Sequence, residues 1–144
     1  MPEFEYPYYN ISESVFPKDR CIGNNERRTL VLVEQKDFAD HGALLTKILR
    51  AVDLDFEQDI SFIPVEKNER ISFLNTSDSK EYENILLFGL EPRQIGLMTN
   101  PGQGLLRLED FTVIVSSPLS AIAKDPVAKR NLWGHLQRVF KSNP

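Results

Sequence analysis

The chain has few of the residues on which metal sites and thiol chemistry depend. Its 144 residues include one cysteine, Cys21, and two histidines, His41 and His135. A single cysteine excludes an internal disulfide and a cluster of cysteine ligands, which is typical of a reducing compartment. The spacing of these residues supports neither a zinc site nor a Cys–His pair. We therefore predict no metal and no cofactor.

Long apolar runs and an excess of basic residues are also lacking. No apolar stretch approaches the roughly 18 residues that a membrane span needs. The N-terminal MPEFEYPYYN has no basic region followed by an apolar run, so we expect no signal peptide. The net charge of −4 argues against nucleic-acid binding by bulk electrostatics. We predict a cytoplasmic protein that contacts neither membrane nor nucleic acid directly.

The residues that are present indicate one globular α/β domain. The 41% hydrophobic and 26% charged fractions are ordinary for such a domain. Apolar runs rich in β-branched residues predict strands at 28–35, 58–66, 84–90 and 111–116, with a short strand near 105–108. Apolar residues at helical spacing between 38 and 52 predict a helix, and two helical pieces close the chain. We predict a three-layer α/β/α sandwich with a mainly parallel sheet of about four or five strands.

The first 28 residues show no regular period, and we assign them to an arm that precedes the domain at 29–144. The arm is rich in aromatic residues and glutamates. Two interpretations stay open: the rings pack on the domain's own surface, or they anchor the arm on another protein. The candidate partner-binding residues are Phe4, Tyr6, Tyr8 and Tyr9.

Candidate catalytic and phosphate-binding motifs are incomplete. The segments FGLEPRQIG and NPGQG contain glycines but lack the Lys-Ser/Thr of a P-loop and the spacing of a dinucleotide turn. Ser116 and Ser117 lack the Gly-x-Ser-x-Gly context of a hydrolase nucleophile, and Ser117 is predicted to cap the helix that begins at Pro118. We interpret His41 as a surface or capping residue at a helix start and His135 as a solvated side chain.

The final helix carries the most regular pattern in the chain. Asp125 is a good N-cap, and Pro126 suits the first helical position. The residues spaced to close one face of the sheet are Ala128, Leu132, Leu136, Val139 and Phe140. Trp133 flanks this stripe, and we predict that its ring is buried.

The segment SSPLSAIAKDPVAKRNLWGHL resembles the C-terminal signature of the psi subunit of bacterial DNA polymerase III. Ser117–Pro118 matches the Ser-Pro pair that ends a strand in that family. The later family pattern, Pro-x-Ala-Lys/Arg-x-x-Leu-Trp, is matched position by position by Pro126, Ala128, Lys129, Leu132 and Trp133. The specific match covers about residues 112–140 of the chain.

This resemblance implies a non-catalytic protein with a uracil-DNA-glycosylase-like core. Psi proteins are accessory subunits of the clamp-loader complex. They pair with the chi subunit and use an N-terminal segment to hold the ATPase subunits of the clamp loader. By this resemblance the arm would be the tether, although it matches no motif of the family.

Two other hypotheses remain open. The chain could be a small glycosylase-like or nucleotide-binding enzyme, with a pocket at the carboxyl ends of the strands near Gly89 and Gly102–Gly104. It could also be an unrelated α/β adaptor protein with a psi-like ending.

Overall fold

A computed structural model of the chain describes residues 21–67, 69–71, 82–95, 104–107 and 111–141. Its strands are β1 (Thr29–Glu34), β2 (Ile60–Val65), β3 (Asn84–Phe88), β4 (Gly104–Arg107) and β5 (Thr112–Ser116). Its helices are α1 (Gln35–Ala51), α2 (Leu119–Lys124) and α3 (Pro126–Leu136). A 3₁₀ turn spans Pro92–Ile95, and a π-helical turn, Gln137–Lys141, continues α3.

The five strands form one sheet in the order β2-β1-β3-β5-β4. All neighbouring pairs are parallel except β4 and β5, which are antiparallel. The α/β class, the five strands and the mostly parallel pairing confirm the corresponding predictions. Most of the segment between β2 and β3 lies outside the described residues.

The central strands are apolar on both sides because both faces of the sheet are covered. Within β1, Leu30 and Leu32 belong to one buried cluster, whereas Val31 and Val33 belong to another. This alternation places successive side chains on opposite faces. β1 therefore carries an apolar run and not an alternation of apolar and polar residues, because the side chains on both of its faces are buried.

All three helices bury their apolar residues on the same face of the sheet. The helical members of that cluster are Leu45, Leu49, Leu119, Ile122, Leu132 and Leu136. On the other face, the described residues that join the strands in the core are Ile71, Tyr82, Leu90 and Ile95. Three phenylalanines connect α1 to β2. The ring centroids of Phe38 and Phe62 lie 4.5 Å apart, and those of Phe56 and Phe62 lie 5.2 Å apart.

Residues 21–28 pack against β2 and the turn before it. Ile22 and Phe62 exchange two backbone hydrogen bonds of 2.9 and 2.8 Å across the outer edge of β2. Because unpaired strand edges can pair with other chains, this bridge protects part of that edge. The remainder of the predicted arm, including Phe4, Tyr6, Tyr8 and Tyr9, lies outside the described residues.

Helix α1 is not uniform along its length. His41 has φ −133° and ψ 24°, so the helix is kinked at this residue. The prediction that His41 lies at a helix start holds only for the second of two helical pieces, because α1 begins at Gln35 and the histidine lies at the kink between the pieces. His41 is half-buried.

Candidate apolar groove between two helices

On the helical face, a groove of about 630 Å³ lies between α1 and α3 and is closed at one end by α2. Its floor is apolar and consists of Leu44, Ile48, Ile122, Leu132 and Leu136. Small side chains, Ala51, Ala123 and Pro126, complete the walls. The volume lies within the range of ordinary ligand and peptide sites.

Two helices contribute matching rows of side chains to this groove. On α1 the row is Leu44, Lys47, Ile48 and Ala51, and on α3 it is Pro126, Lys129, Arg130 and Trp133. Each row follows the i, i+3, i+4, i+7 spacing that places residues on one side of a helix. The rows lie beside the stripes that each helix buries against the sheet.

Trp133 stands at the edge of the groove with 37% of its surface exposed. Our prediction of a buried ring is therefore wrong, although Leu132 and Leu136 are buried as predicted. The helix turns about 100° per residue, so the residue directly after the buried Leu132 is rotated away from the sheet. A large aromatic ring at this exposure, next to an apolar floor, is a typical component of a protein-binding surface.

Four exposed cations surround the apolar floor: Lys47, Lys124, Lys129 and Arg130. Among the described residues that line the groove there is no aspartate or glutamate. This local positive charge contrasts with the net charge of −4 of the whole chain. The groove is therefore an apolar surface with a basic rim on an acidic protein.

Pro118 packs against Gly89 at the carboxyl end of β3. Gly89 follows β3 with φ +77°, and its backbone N–H donates to the carbonyl oxygen of Ser116 at 2.9 Å. A Cβ atom at Gly89 would lie 2.8 Å from the Cβ of Pro118. Pro118 therefore lies against Gly89, at the strand end where we considered a nucleotide pocket. Gly102 lies outside the described residues.

The amino end of α2 is capped by a residue distant in sequence. Ser117 does not cap this helix, which corrects our prediction, because its N-cap is Pro118 without a side-chain hydrogen bond. Asp37, in the first turn of α1, accepts from the backbone N–H groups of Leu119 and Ser120 at 2.6 and 3.0 Å. Both carboxylate oxygens of this buried side chain therefore have a structural role. At α3, by contrast, the predicted N-cap Asp125 is confirmed by its bond to the N–H of Val127.

His135 and Ser116 line a small cavity of about 50 Å³ beside α3. His135 is half-buried rather than solvated, and this burial, together with the positive charge of Arg138, lowers its pKa from 6.5. The Ser116 hydroxyl donates to the carbonyl oxygen of Ser117. A hydroxyl in this bond is directed at the backbone, and the cavity is too small for a substrate larger than a few atoms.

The acidic segment before β2 forms a turn held by its own side chains. Asp55 accepts from the backbone N–H groups of Glu57 and Gln58, and Asp59 accepts from that of Asp55. These bonds hold the connection between α1 and β2 in a turn. Over the described part of the chain, no group of three or more His, Cys, Asp or Glu side chains could hold a metal ion. No helix in that part is both long and apolar enough to cross a bilayer.

Comparisons with protein-family models and with curated proteins find no match to this chain.

Proposed function

We propose that the chain is a non-catalytic protein-interaction subunit that resembles the psi subunit of the bacterial replicative clamp loader. The observation that carries the interaction role is the groove between α1 and α3, with Trp133 exposed beside an apolar floor. Surfaces of this kind, with an aromatic residue and an arginine beside apolar contacts, are typical of protein interfaces. The assignment to the clamp loader is carried by the C-terminal sequence pattern alone.

Several finer features belong to the same proposal. The fold would be a three-layer α/β/α sandwich with a uracil-DNA-glycosylase-like core, and the protein would act in the cytoplasm. Its partners would be the ATPase subunits of the clamp loader and a chi-like subunit. The arm would bind the ATPase subunits through Phe4, Tyr6, Tyr8 and Tyr9.

Reconstitution with purified subunits tests this proposal. The full chain is mixed with clamp-loader ATPase subunits and a chi-like subunit, and complexes are separated by size-exclusion chromatography. We expect the full chain to bind both partners. Binding to neither partner would overturn the proposal.

The role of the arm is tested in the same experiment. A full-length variant with Phe4, Tyr6, Tyr8 and Tyr9 replaced by alanine should lose the ATPase subunits and keep the chi-like subunit. A matched control replaces Asn10, Ser12 and Ser14, which lie in the same arm, and should keep both partners. Equal binding by the two variants would show that the aromatic residues are not the tether.

A further inference from the structure

We propose that the groove between α1 and α3 is a docking site for a short amphipathic helix of a partner protein, with apolar anchors on one side and Asp or Glu beside them. This deepens the proposed function, on which it rests, by naming the surface and the chemistry of the partner segment.

The dimensions of the groove favour a short helical occupant. The lining residues of α1 extend from Leu44 to Ala51, and those of α3 from Pro126 to Trp133. At 1.5 Å rise per residue, each row is about 10 Å long, which corresponds to two turns of a docked helix. Two turns present anchors at i, i+3, i+4 and i+7, the same spacing that lines the groove on both sides.

The apolar floor requires apolar anchors from the occupant. Leu44 and Ile48 of α1 are half-buried, and the ring of Trp133 is exposed, so these side chains still have surface to bury. Burial of such surface is the main favourable contribution to docking. A purely ionic ligand would leave this floor exposed to water.

The charges of the rim select an acidic occupant. Lys47 lies on the α1 side of the groove, Lys129 and Arg130 lie on the α3 side, and Lys124 lies at the end formed by α2. None of these four cations forms an ion pair with a residue that the structure describes. Carboxylates that flank the apolar anchors of a docked helix would meet unpaired positive charge on each side. Complementary charge of this kind steers association and fixes the orientation of the partner.

A nucleic-acid strand fits the same surface less well. Single-stranded nucleic acid binds to grooves where several aromatic side chains stack on successive bases. Trp133 is the only aromatic residue among the described residues of this lining, and the floor that they form is aliphatic. The acidic net charge of the chain also opposes a polyanion.

Trp133 provides a direct measurement, because it is the only tryptophan in the chain. The probe is a synthetic helical peptide with leucine at i, i+3, i+4 and i+7 and glutamate at the positions between them. The control peptide carries lysine in place of glutamate. We expect the glutamate peptide to shift the Trp133 emission to shorter wavelength in a saturable titration. The lysine peptide should bind with an affinity at least about tenfold lower.

Substitutions in the full chain locate the binding to the groove. Lys129→Glu combined with Arg130→Glu should lower the affinity for the glutamate peptide by about tenfold. The matched control, Lys67→Glu combined with Arg70→Glu, changes the net charge equally at exposed positions outside the groove and should bind like the parent. Lys47→Glu tests the α1 side independently, if circular dichroism shows that the first variant does not fold.

Several outcomes would overturn the proposal. These are an unchanged Trp133 emission with the glutamate peptide, equal binding of the two peptides, or equal weakening by the groove variant and its control. Tighter binding of an oligothymidine strand, or of a peptide with residues 1–16 of this chain, would also assign the groove to another occupant. Failure of the proposed function is separate: a chain that binds the clamp-loader subunits but gives any of these peptide results would lose only this docking site, and a chain that binds the glutamate peptide as expected but no clamp-loader subunit would lose only the assignment to the clamp loader.

Discussion

The carboxylate of Asp37, in the first turn of α1, accepts a 2.6 Å hydrogen bond from the backbone N–H of Leu119, the first residue of α2. The second carboxylate oxygen accepts from Ser120, and Asp37 is only 7% exposed. This contact joins residues 82 positions apart in the chain. It connects the start of α1 to α2, the helix that closes one end of the groove.

Loss of this contact should destabilise the fold. Asp37→Ala leaves the N–H groups of Leu119 and Ser120 without their acceptor, and we expect the free energy of unfolding to fall by about 2 kcal/mol. Chemical denaturation measures the change. Asp40→Asn, at an exposed position of the same helix, is the matched control and should have little effect. Equal stability of Asp37→Ala and the parent would show that the cap is not formed in solution.

Removal of the Trp133 ring should destabilise the fold less than removal of a fully buried side chain. Because 37% of its surface is exposed, we expect Trp133→Ala to lower the free energy of unfolding by about 1–2 kcal/mol. Its neighbour Leu132 is 4% exposed, and Leu132→Ala should cost about 2–5 kcal/mol. Thermal and chemical denaturation of the pair provide the comparison. A loss of stability at Trp133 as large as that at Leu132 would contradict the exposed position of the ring.

Gly134 offers a substitution that should stabilise the protein. It lies inside α3, and a Cβ atom at this position would have no atom within 4 Å. Alanine loses less backbone entropy in a helix than glycine does, so Gly134→Ala should raise the free energy of unfolding by about 1 kcal/mol. The melting temperature and denaturation midpoint would both rise. A decrease in either would indicate a neighbour that packs against this glycine.

The same change at Gly89 should have the opposite effect. Its φ of +77° is unfavourable for alanine, and the added Cβ would lie 2.8 Å from the Cβ of Pro118. We expect Gly89→Ala to lower the free energy of unfolding by about 2 kcal/mol or more. Chemical denaturation of Gly89→Ala and Gly134→Ala under the same conditions compares the expected loss of stability with the expected gain. Neutral behaviour at Gly89 would mean that the turn after β3 can shift away from Pro118.

His135 should contribute a pH dependence below neutrality. Burial, and then the charge of Arg138, lower its pKa in the folded state below 6.5. As pH falls through 6.5, the unfolded chain binds a proton at this residue before the folded chain does. The free energy of unfolding should therefore decrease as pH falls from 6.5 to the lower pKa of the folded state. Below that pKa, His135 should add no further pH dependence.

NMR titration of the imidazole protons measures this pKa directly. Arg138→Gln should raise the pKa of His135 towards 6.5, because one of its two causes is removed. His135→Gln should reduce the loss of stability over the same pH range. A folded pKa at or above 6.5 would contradict the effect of burial.

Much of the fold could be read from local patterns in the residues. The buried strand β1 is predicted at 28–35 because a strand covered on both faces carries a nearly continuous apolar run, here LVLV. Asp125 and Pro126 indicated the start of α3 because capping depends on the adjacent N–H groups. In each case the pattern that indicates the element lies within a few consecutive residues of the chain.

The errors occurred where a residue's environment comes from distant segments. Ser117 has a suitable side chain for a cap, but Asp37 reaches the same N–H groups from α1. Trp133 lies beside a buried stripe, and helical spacing alone does not say how far the apolar side extends. The two rows of α1 and α3 that line the groove have helical spacing in the sequence. Because each row contains lysine or arginine, its pattern is also typical of a helix face exposed to solvent.

The residue pattern was therefore sufficient for the strands, the helices, the mostly parallel sheet and the caps formed by neighbouring residues, since these depend on short-range sterics and on which side chains avoid water. It could not show that α1 and α3 place Lys47, Ile48, Lys129 and Trp133 around one groove. Those residues are separated by about half of the chain. Only the packing of three helices on one face of the sheet brings them together and leaves their apolar surface open.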